Sequence, residues 1–427
     1  MFFLRHILLF ALLTPTLLHA QKQYLHCSPL IKPGDQKVLE KKTLLVQGDS
    51  ILRVRDGYLG AKKEGKVLDL KGLTVMPGLM DMHVHLEGSP SPKNYRKTFT
   101  QNPEERAFES IENARKTVES GFTTVRDVGG SGVNLALREA IRKGTVKGPR
   151  VFSSGKAIGS TGGHADPTNG YKRSLDPNAG PKQGVADGVA QCKEAVRWRY
   201  KNGADLIKIM ATGGVLSLAQ NSKNPQYDMN ELRAIVQTAS DYGYNVAVHA
   251  HGAEGMKRAV KAGVHSIKHG TLMTEEVMKL MKKHGTWLVP TIQAGKFVAK
   301  KAEQPDYYPE IVRPKAKALG PKLQDMFAKA HEKGVKIAFG TDAGVFPHGN
   351  NWKEFIHMTE AGMEPMEALR TATVNGAKLL GIADEYGTLE AGKTADIIAV
   401  KGNPLENMQV MKQVRFVMKG GETVVQR

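Results

Sequence analysis

The sequence predicts an α/β protein: a (β/α)8 barrel of the TIM type with a small β-sandwich assembled from both termini. Three observations carry this. A helix–glycine–strand phrase recurs through the middle of the chain, both ends break into short strand patterns, and 427 residues suffice for one large domain with an appendage. The phrase runs from 116–121 into Thr123-Thr-Val-Arg-Asp127, and from 199–203 into Leu206-Ile-Lys-Ile-Met210. It recurs from 240–243 into Val246-Ala-Val-His249, and from 260–263 into Ser266-Ile-Lys-His269. Gly285 precedes Trp287-Leu-Val-Pro290, and Gly334 precedes Lys336-Ile-Ala-Phe-Gly-Thr-Asp342. A glycine just past a helix end takes the left-handed cap without a Cβ clash. Asp228 with Glu231 forms an acidic capping box ahead of Leu232, Ile235 and Val236 at helical spacing.

Segments 79–85 and 150–154 bring the count to eight strands. Strands alternating with helices imply a parallel sheet, and eight imply a closed barrel of about 250 residues, longer with insertions. The rival is an open doubly wound sheet, but no Gly-x-Gly-x-x-Gly follows a first strand. The barrel is expected over 78–385, with a Gly/Asn/Asp/Pro-rich active-site loop at 155–185. Residues 21–77 and 386–427 carry short strand patterns at 43–46, 67–70, 397–400 and 414–417. Neither end is long enough for its own core, so the two are expected to share one sandwich.

Residues 1–20 read as a secretory signal peptide: Arg5, an apolar run over 7–13, then Leu-His-Ala20 before Gln21. Cleavage after Ala20 implies a periplasmic or secreted protein. The apolar stretch falls short of the ~20 residues that span a bilayer, so no membrane anchor is expected after cleavage. The composition, 41% hydrophobic and 24% charged, is that of a globular chain. Its net charge of +19 suits acidic ligands. No Lys/Arg block is interleaved with aromatics, so nucleic-acid binding is not expected. Cys27 and Cys192 make neither a disulfide framework nor a zinc–thiolate site, and both are expected to be free.

Placing the ionisable residues on these strands yields a pattern. His83 and His85 lie two apart on the first strand, so both point to one face. Lys208 interrupts the apolar fourth strand, while His249, His269 and Asp342 end the fifth, sixth and eighth. All fall toward C-terminal strand ends, the barrel face where active sites are built. Each alone is as well explained by packing or a turn; together they are not. Imidazoles and a carboxylate without thiolate suit zinc or manganese in an open catalytic site. A buried ammonium is costly unless paired or neutralised, which marks Lys208.

The phrases Val75-Met-Pro-Gly-Leu-Met-Asp-Met-His-Val-His85, Gly121-Phe-Thr-Thr-Val-Arg-Asp-Val-Gly129, Val248-His-Ala-His-Gly252, Ile267-Lys-His-Gly-Thr271 and Gly340-Thr-Asp-Ala-Gly344 carry a resemblance. So does the ending Gly387-Thr-Leu-Glu-Ala-Gly-Lys-Thr-Ala-Asp396. The chain resembles the amidohydrolase superfamily over nearly its whole length after residue 20. It is most similar to the Xaa-Pro dipeptidase and imidazolonepropionase-like branch, which includes ochratoxin-type amidohydrolases. The resemblance implies two divalent metal ions, with zinc the expected metal: His83, His85 and Asp342 on one, His249 and His269 on the other. Lys208 would bridge them as a carbamate, which turns a cation into an anion.

The activity so implied is hydrolysis of an amide bond in an Xaa-Pro dipeptide, a short peptide's C-terminal residue or an ochratoxin-like N-acyl amino acid. A metal-bridging hydroxide would attack, with Asp342 as general base and then acid. His164, in the 155–185 loop, and His251, beside His249, are candidates for steadying the oxyanion and binding substrate. Arg126, near the end of the second strand, is a candidate partner for the substrate carboxylate; its alternative is a structural ion pair. Loops 211–219 and 345–352 are expected to shape the side-chain pocket. A homo-oligomer, up to an octamer, is also implied. The alternatives are a mononuclear deaminase or cyclic-amide hydrolase on the same fold, and a binding protein with a decayed site.

Overall fold

The two chain ends meet in one sheet. The computed structural model describes residues 21–61 and 65–427, so the predicted leader at 1–20 lies outside the described residues. Strand Lys22–Lys32 lies between Lys42–Gln47, antiparallel, and Gly65–Pro77, parallel. The far half of Gly65–Pro77 pairs antiparallel with Ile397–Val400, which leads on to Val414–Lys419 and Glu422–Gln426. Alternating side chains bury Leu25, Cys27, Leu44, Val46, Phe416 and Met418 in one apolar cluster. Each large apolar side chain buried there contributes about 1.5–3 kcal/mol. Strand Lys22–Lys32 at the centre of this sheet carries no turn-bounded alternation strong enough to have been read from sequence.

Between the ends, Leu79–Val84, Phe122–Asp127 and Arg150–Ser153 form one parallel sheet. Ile207–Met210, Val246–Ala250, Ser266–His269 and Trp287–Val289 form a second. Most of these strands are buried along their whole length, as parallel strands covered on both faces must be. Ile207 and Ile209 join the apolar cluster beneath the helices, so Lys208 between them turns to the opposite face.

The expected eighth strand is a correction. Segment 336–343 makes isolated bridges, Ile337 with Leu288 and Ala343 with Val84 and with Phe346, while Ile158 bridges Ile209. Asp342 has φ 62°, a left-handed conformation outside a regular strand, although its N–H still donates to His83 O at 2.7 Å, and Thr341 is bound through its N–H and hydroxyl to the Asp81 side chain. Those bridges still place 336–343 beside both the first and the seventh strand. The helix ends follow the sequence. Gly263 and Gly285 take left-handed C-cap conformations, and Asp228 and Glu231 form the reciprocal capping box. Cys27 and Cys192 are free and buried. Among the described residues no helix is long and apolar enough to cross a membrane.

Candidate metal centre

His83 and His85, brought inward by the two-residue strand repeat, meet Asp342 across the bridge to segment 336–343. His83 Nε2 and His85 Nε2 each lie 3.2 Å from Asp342 Oδ1 and 3.3 Å from one another. These approaches lack hydrogen-bond geometry to the carboxylate, so Asp342 Oδ1 is a buried acceptor without a donor. Three lone-pair atoms converging on one point are costly unless a cation sits among them. The donor set therefore fits a divalent metal.

Hydrogen bonds on the far side of each ring fix which nitrogen faces inward. His85 Nδ1 donates to the Gly129 carbonyl at 2.7 Å, leaving Nε2 as the lone pair. The Thr291 hydroxyl donates to Pro290 O, so it must accept from His269 Nδ1 at 2.7 Å, and His269 also presents Nε2. His249 Nε2 faces the Gly213 carbonyl at 3.1 Å and leaves Nδ1 free. The structure brings His249, His251 and His269 together in one group and His83, His269 and Asp342 in another, with ligand atoms in each within 4.8 Å of one another. His251 stands closer to that cluster than its sequence neighbourhood indicated. Its ring stacks on His269 at 5.0 Å, with Nδ1 2.7 Å from the Thr271 hydroxyl.

Burial sets the charge state. Desolvation holds His83, His249 and His269 well below the ordinary histidine range, and His251 near 4. For His85 desolvation pulls the same way, but the adjacent Asp342 outweighs it and the ring is raised. Burial lowers Lys208 to about 7, and among the described residues no carboxylate lies within ion-pair distance of it. His269, Thr291 and Asp342 all have positive φ, at 67°, 60° and 62°. Such strain in residues with side chains persists where surroundings over-determine it, and here it marks one end of one cleft.

All of these residues, with His164, line a cleft of about 160 Å³. The amidohydrolase family pattern matches residues 74–424 of the chain. The chain belongs to the amidohydrolase family. It is 33% identical to the ochratoxinase of Aspergillus niger over 422 residues, covering 92% of this chain and 85% of that protein. A crystal structure of an Xaa-Pro dipeptidase with methionine bound in its active site is 50% identical, with TM-score 0.90 over 94% of this chain and 99% of that one. A prolidase complexed with N-methylphosphonate-L-proline is 33% identical, with TM-score 0.88 over 95% and 100%.

In this amidohydrolase, His164 comes from the 155–185 loop as expected. Its ring lies 4.4 Å from that of His249, its Nδ1 is buried without a partner, and burial lowers it to about 3. Arg126 is the residue the structure does not bring to the cleft. It is buried, donating through Nε to the Met82 carbonyl at 2.9 Å and through Nη2 to Ser266 at 3.4 Å. Ser266 opens its strand whereas His269 ends it, so Arg126 sits deeper between the strands than the ligands do. It is not among the residues that line the cleft, and among the described residues it makes no ion pair within 4 Å.

The cleft's apolar wall was only half legible. Val215, Leu216 and Val345 come from the expected loops, but Val298, Ala316, Leu319 and Leu323 come from helices after the seventh strand. Those helices cross closely: a Cβ on Gly320 would lie 2.4 Å from Gly295 O. Two glycines in helical surroundings are the only sequence trace of that crossing. Lys315 ties the wall to the loop, donating to Ser217 O and Ala219 O at 2.7 Å and Gly214 O at 3.3 Å.

Proposed function

We propose that this amidohydrolase is an exported enzyme holding two divalent ions, and that it cleaves the amide bond of dipeptide-like or N-acyl amino acid substrates bearing a free carboxylate. One observation carries this reading: two ligand groups share His269 at one end of a cleft whose other walls are apolar. His83, His85 and Asp342 would hold one ion, and His249 and His269 the other. Lys208 is buried without an acid partner and lowered toward neutrality, which suits an amine that adds carbon dioxide and becomes a bridging carbamate. Imidazole and carboxylate donors without thiolate favour zinc. The fold that goes with it is a closed barrel over 78–385 flanked by a sandwich of 21–77 and 386–427.

The ions, when bound, supply Lewis-acid polarisation of the carbonyl and a water of lowered pKa. The protein's own part follows from its geometry. The Asp342 carboxylate accepts the proton of the attacking water and returns it to the departing amine nitrogen. His164, neutral and with an unpartnered buried nitrogen, is placed to donate to the developing oxyanion. His251, locked through Nδ1 to Thr271, offers its other nitrogen to substrate. The apolar wall takes a side chain and keeps water out.

The relatives support the substrate class: an ochratoxinase, an Xaa-Pro dipeptidase with methionine bound in its active site, and a prolidase complexed with N-methylphosphonate-L-proline. Export rests on the leader pattern, and assembly into a homo-oligomer on the resemblance alone. The test is metal content together with a panel of Xaa-Pro and N-acyl-amino acid substrates and their C-terminal amides. Two ions per chain and loss of cleavage on amidation are expected. One ion per chain, with amides cleaved as well as acids, would favour the mononuclear cyclic-amide alternative.

A further inference from the structure

A second compartment opens beside the first and shares its His85, Leu216 and Val345 walls. It has a volume of about 340 Å³, and its remaining lining is dominated by Tyr95, Tyr307 and Tyr308, with Pro90, Ser91 and Asn94. The Tyr95 hydroxyl is bound to the Leu216 carbonyl, which fixes the partition between the compartments. Tyr307 and Tyr308 meet edge to face at 4.9 Å, and Lys301 lies 4.8 Å from the Tyr307 ring. Across the walls of both compartments the sole carboxylate is Asp342. Asp166 of the 155–185 loop is already bound to Gly162 N, Thr168 N and the Thr168 hydroxyl, and Asp306, which precedes Tyr307 in the chain, is exposed and outside the lining.

A scissile amide has two sides. An amide with its carbonyl at the histidine cluster would turn one substituent to the aliphatic wall of Val298, Leu319 and Leu323, and the other to the tyrosines. We propose that the tyrosine compartment is the acyl-side subsite and that it selects aromatic N-acyl groups over the free α-ammonium of a dipeptide. This rests on the amide-hydrolase reading above. Aromatic faces offer offset and edge contacts to a planar acyl group. An ammonium entering the compartment loses water and finds no carboxylate there to replace it.

The test measures kcat/KM on the metal-loaded enzyme for three substrates sharing one C-terminal residue: N-benzoyl-proline, N-acetyl-proline and Phe-Pro. Benzoyl is expected to exceed both others by at least tenfold. Tyr308→Leu, and separately the rim variant Tyr307→Leu, are expected to lower the benzoyl-to-acetyl ratio at least threefold, mainly through KM. Calorimetric titration with the product analogue benzoate reports on the compartment without turnover, and its affinity is expected to fall in the same variants. Phe-Pro matching or exceeding N-benzoyl-proline, or ratios unmoved in both variants, overturns the subsite. Hydrolysis of none of the three overturns the underlying function instead.

Discussion

The Asp81 carboxylate accepts a 2.6 Å hydrogen bond from the Thr341 hydroxyl, joining the first strand to the segment that carries Asp342. The same carboxylate accepts from His83 N and Thr341 N at 3.1 Å and from Asn351 Nδ2 at 2.8 Å. Asp81 is fully buried and touches no ligand atom, yet it fixes the backbone on both sides of the His83–Asp342 approach.

Asp81→Asn should therefore act at a distance. An amide presents an N–H where two backbone N–H groups and a hydroxyl expect acceptors, so at least one buried donor is left unmet. A loss of about 1–3 kcal/mol in stability follows, with metal affinity lowered about 10–100-fold, as for partners that orient ligands. Chemical denaturation and metal retention on dialysis would check it. Wild-type values for both would mean that Asp81 does not position the pair.

Lys208→Ala should lose metal and activity together. Short carboxylates with bicarbonate should restore part of both, because they refill the cavity with an anion. Full activity in the unsupplemented variant would remove the two-metal reading. Lys208→Met, close in shape and uncharged, separates loss of the anion from loss of packing.

Asp342→Asn is expected to keep the fold and to lower turnover by at least ~10²-fold, the usual contribution of proton transfer. Near-normal turnover in the metal-replete variant would hand the proton to another group, with His251 the next candidate.

What the sequence revealed and hid follows from what a strand pattern encodes. Alternation reports which face a side chain takes, and it put His83 and His85 on one face, while strand ends gathered Lys208, His249 and His269. It does not report depth along the strand. Arg126 and Lys208 both turn inward, but Arg126 reaches back to Met82 O and Ser266, and only Lys208 lines the cleft. Side-chain periodicity is equally silent about partners from remote segments, so Thr271, Thr291 and Asp81 went unread although they orient the rings and the Asp342 backbone. The eighth segment departs from a regular strand at Gly340-Thr-Asp342, where Asp342 is left-handed and Thr341 bonds Asp81, a partner remote in sequence. The apolar wall was hidden because helix crossings depend on tertiary fit, here the approach of Gly295 to Gly320.

The last prediction concerns acid stability away from the metal ligands. His265 opens onto the deep end of the sixth strand, where its Nε2 donates to Leu379 O at 3.0 Å. Burial lowers it to about 4, opposed by the hydrogen bond to Leu379 O and aided by the smaller effects of the positive charges of Arg126, Lys268 and Lys336. A base with a depressed folded pKa contributes its stability fully above the unfolded value of 6.5, and loses it as pH falls toward 4. At 1.36 kcal/mol per pKa unit, discounted because the ring is partly exposed, the loss is roughly 2 kcal/mol. His265→Gln keeps a donor for Leu379 O but does not titrate. Unfolding free energies at pH 7.5 and pH 4.5 should therefore diverge more in the wild type than in the variant, with other acid-labile groups, metal ligands included, cancelling in the comparison. An equal acid loss in both proteins would mean that His265 stays neutral in neither or both states, and that the acid sensitivity lies elsewhere in the fold.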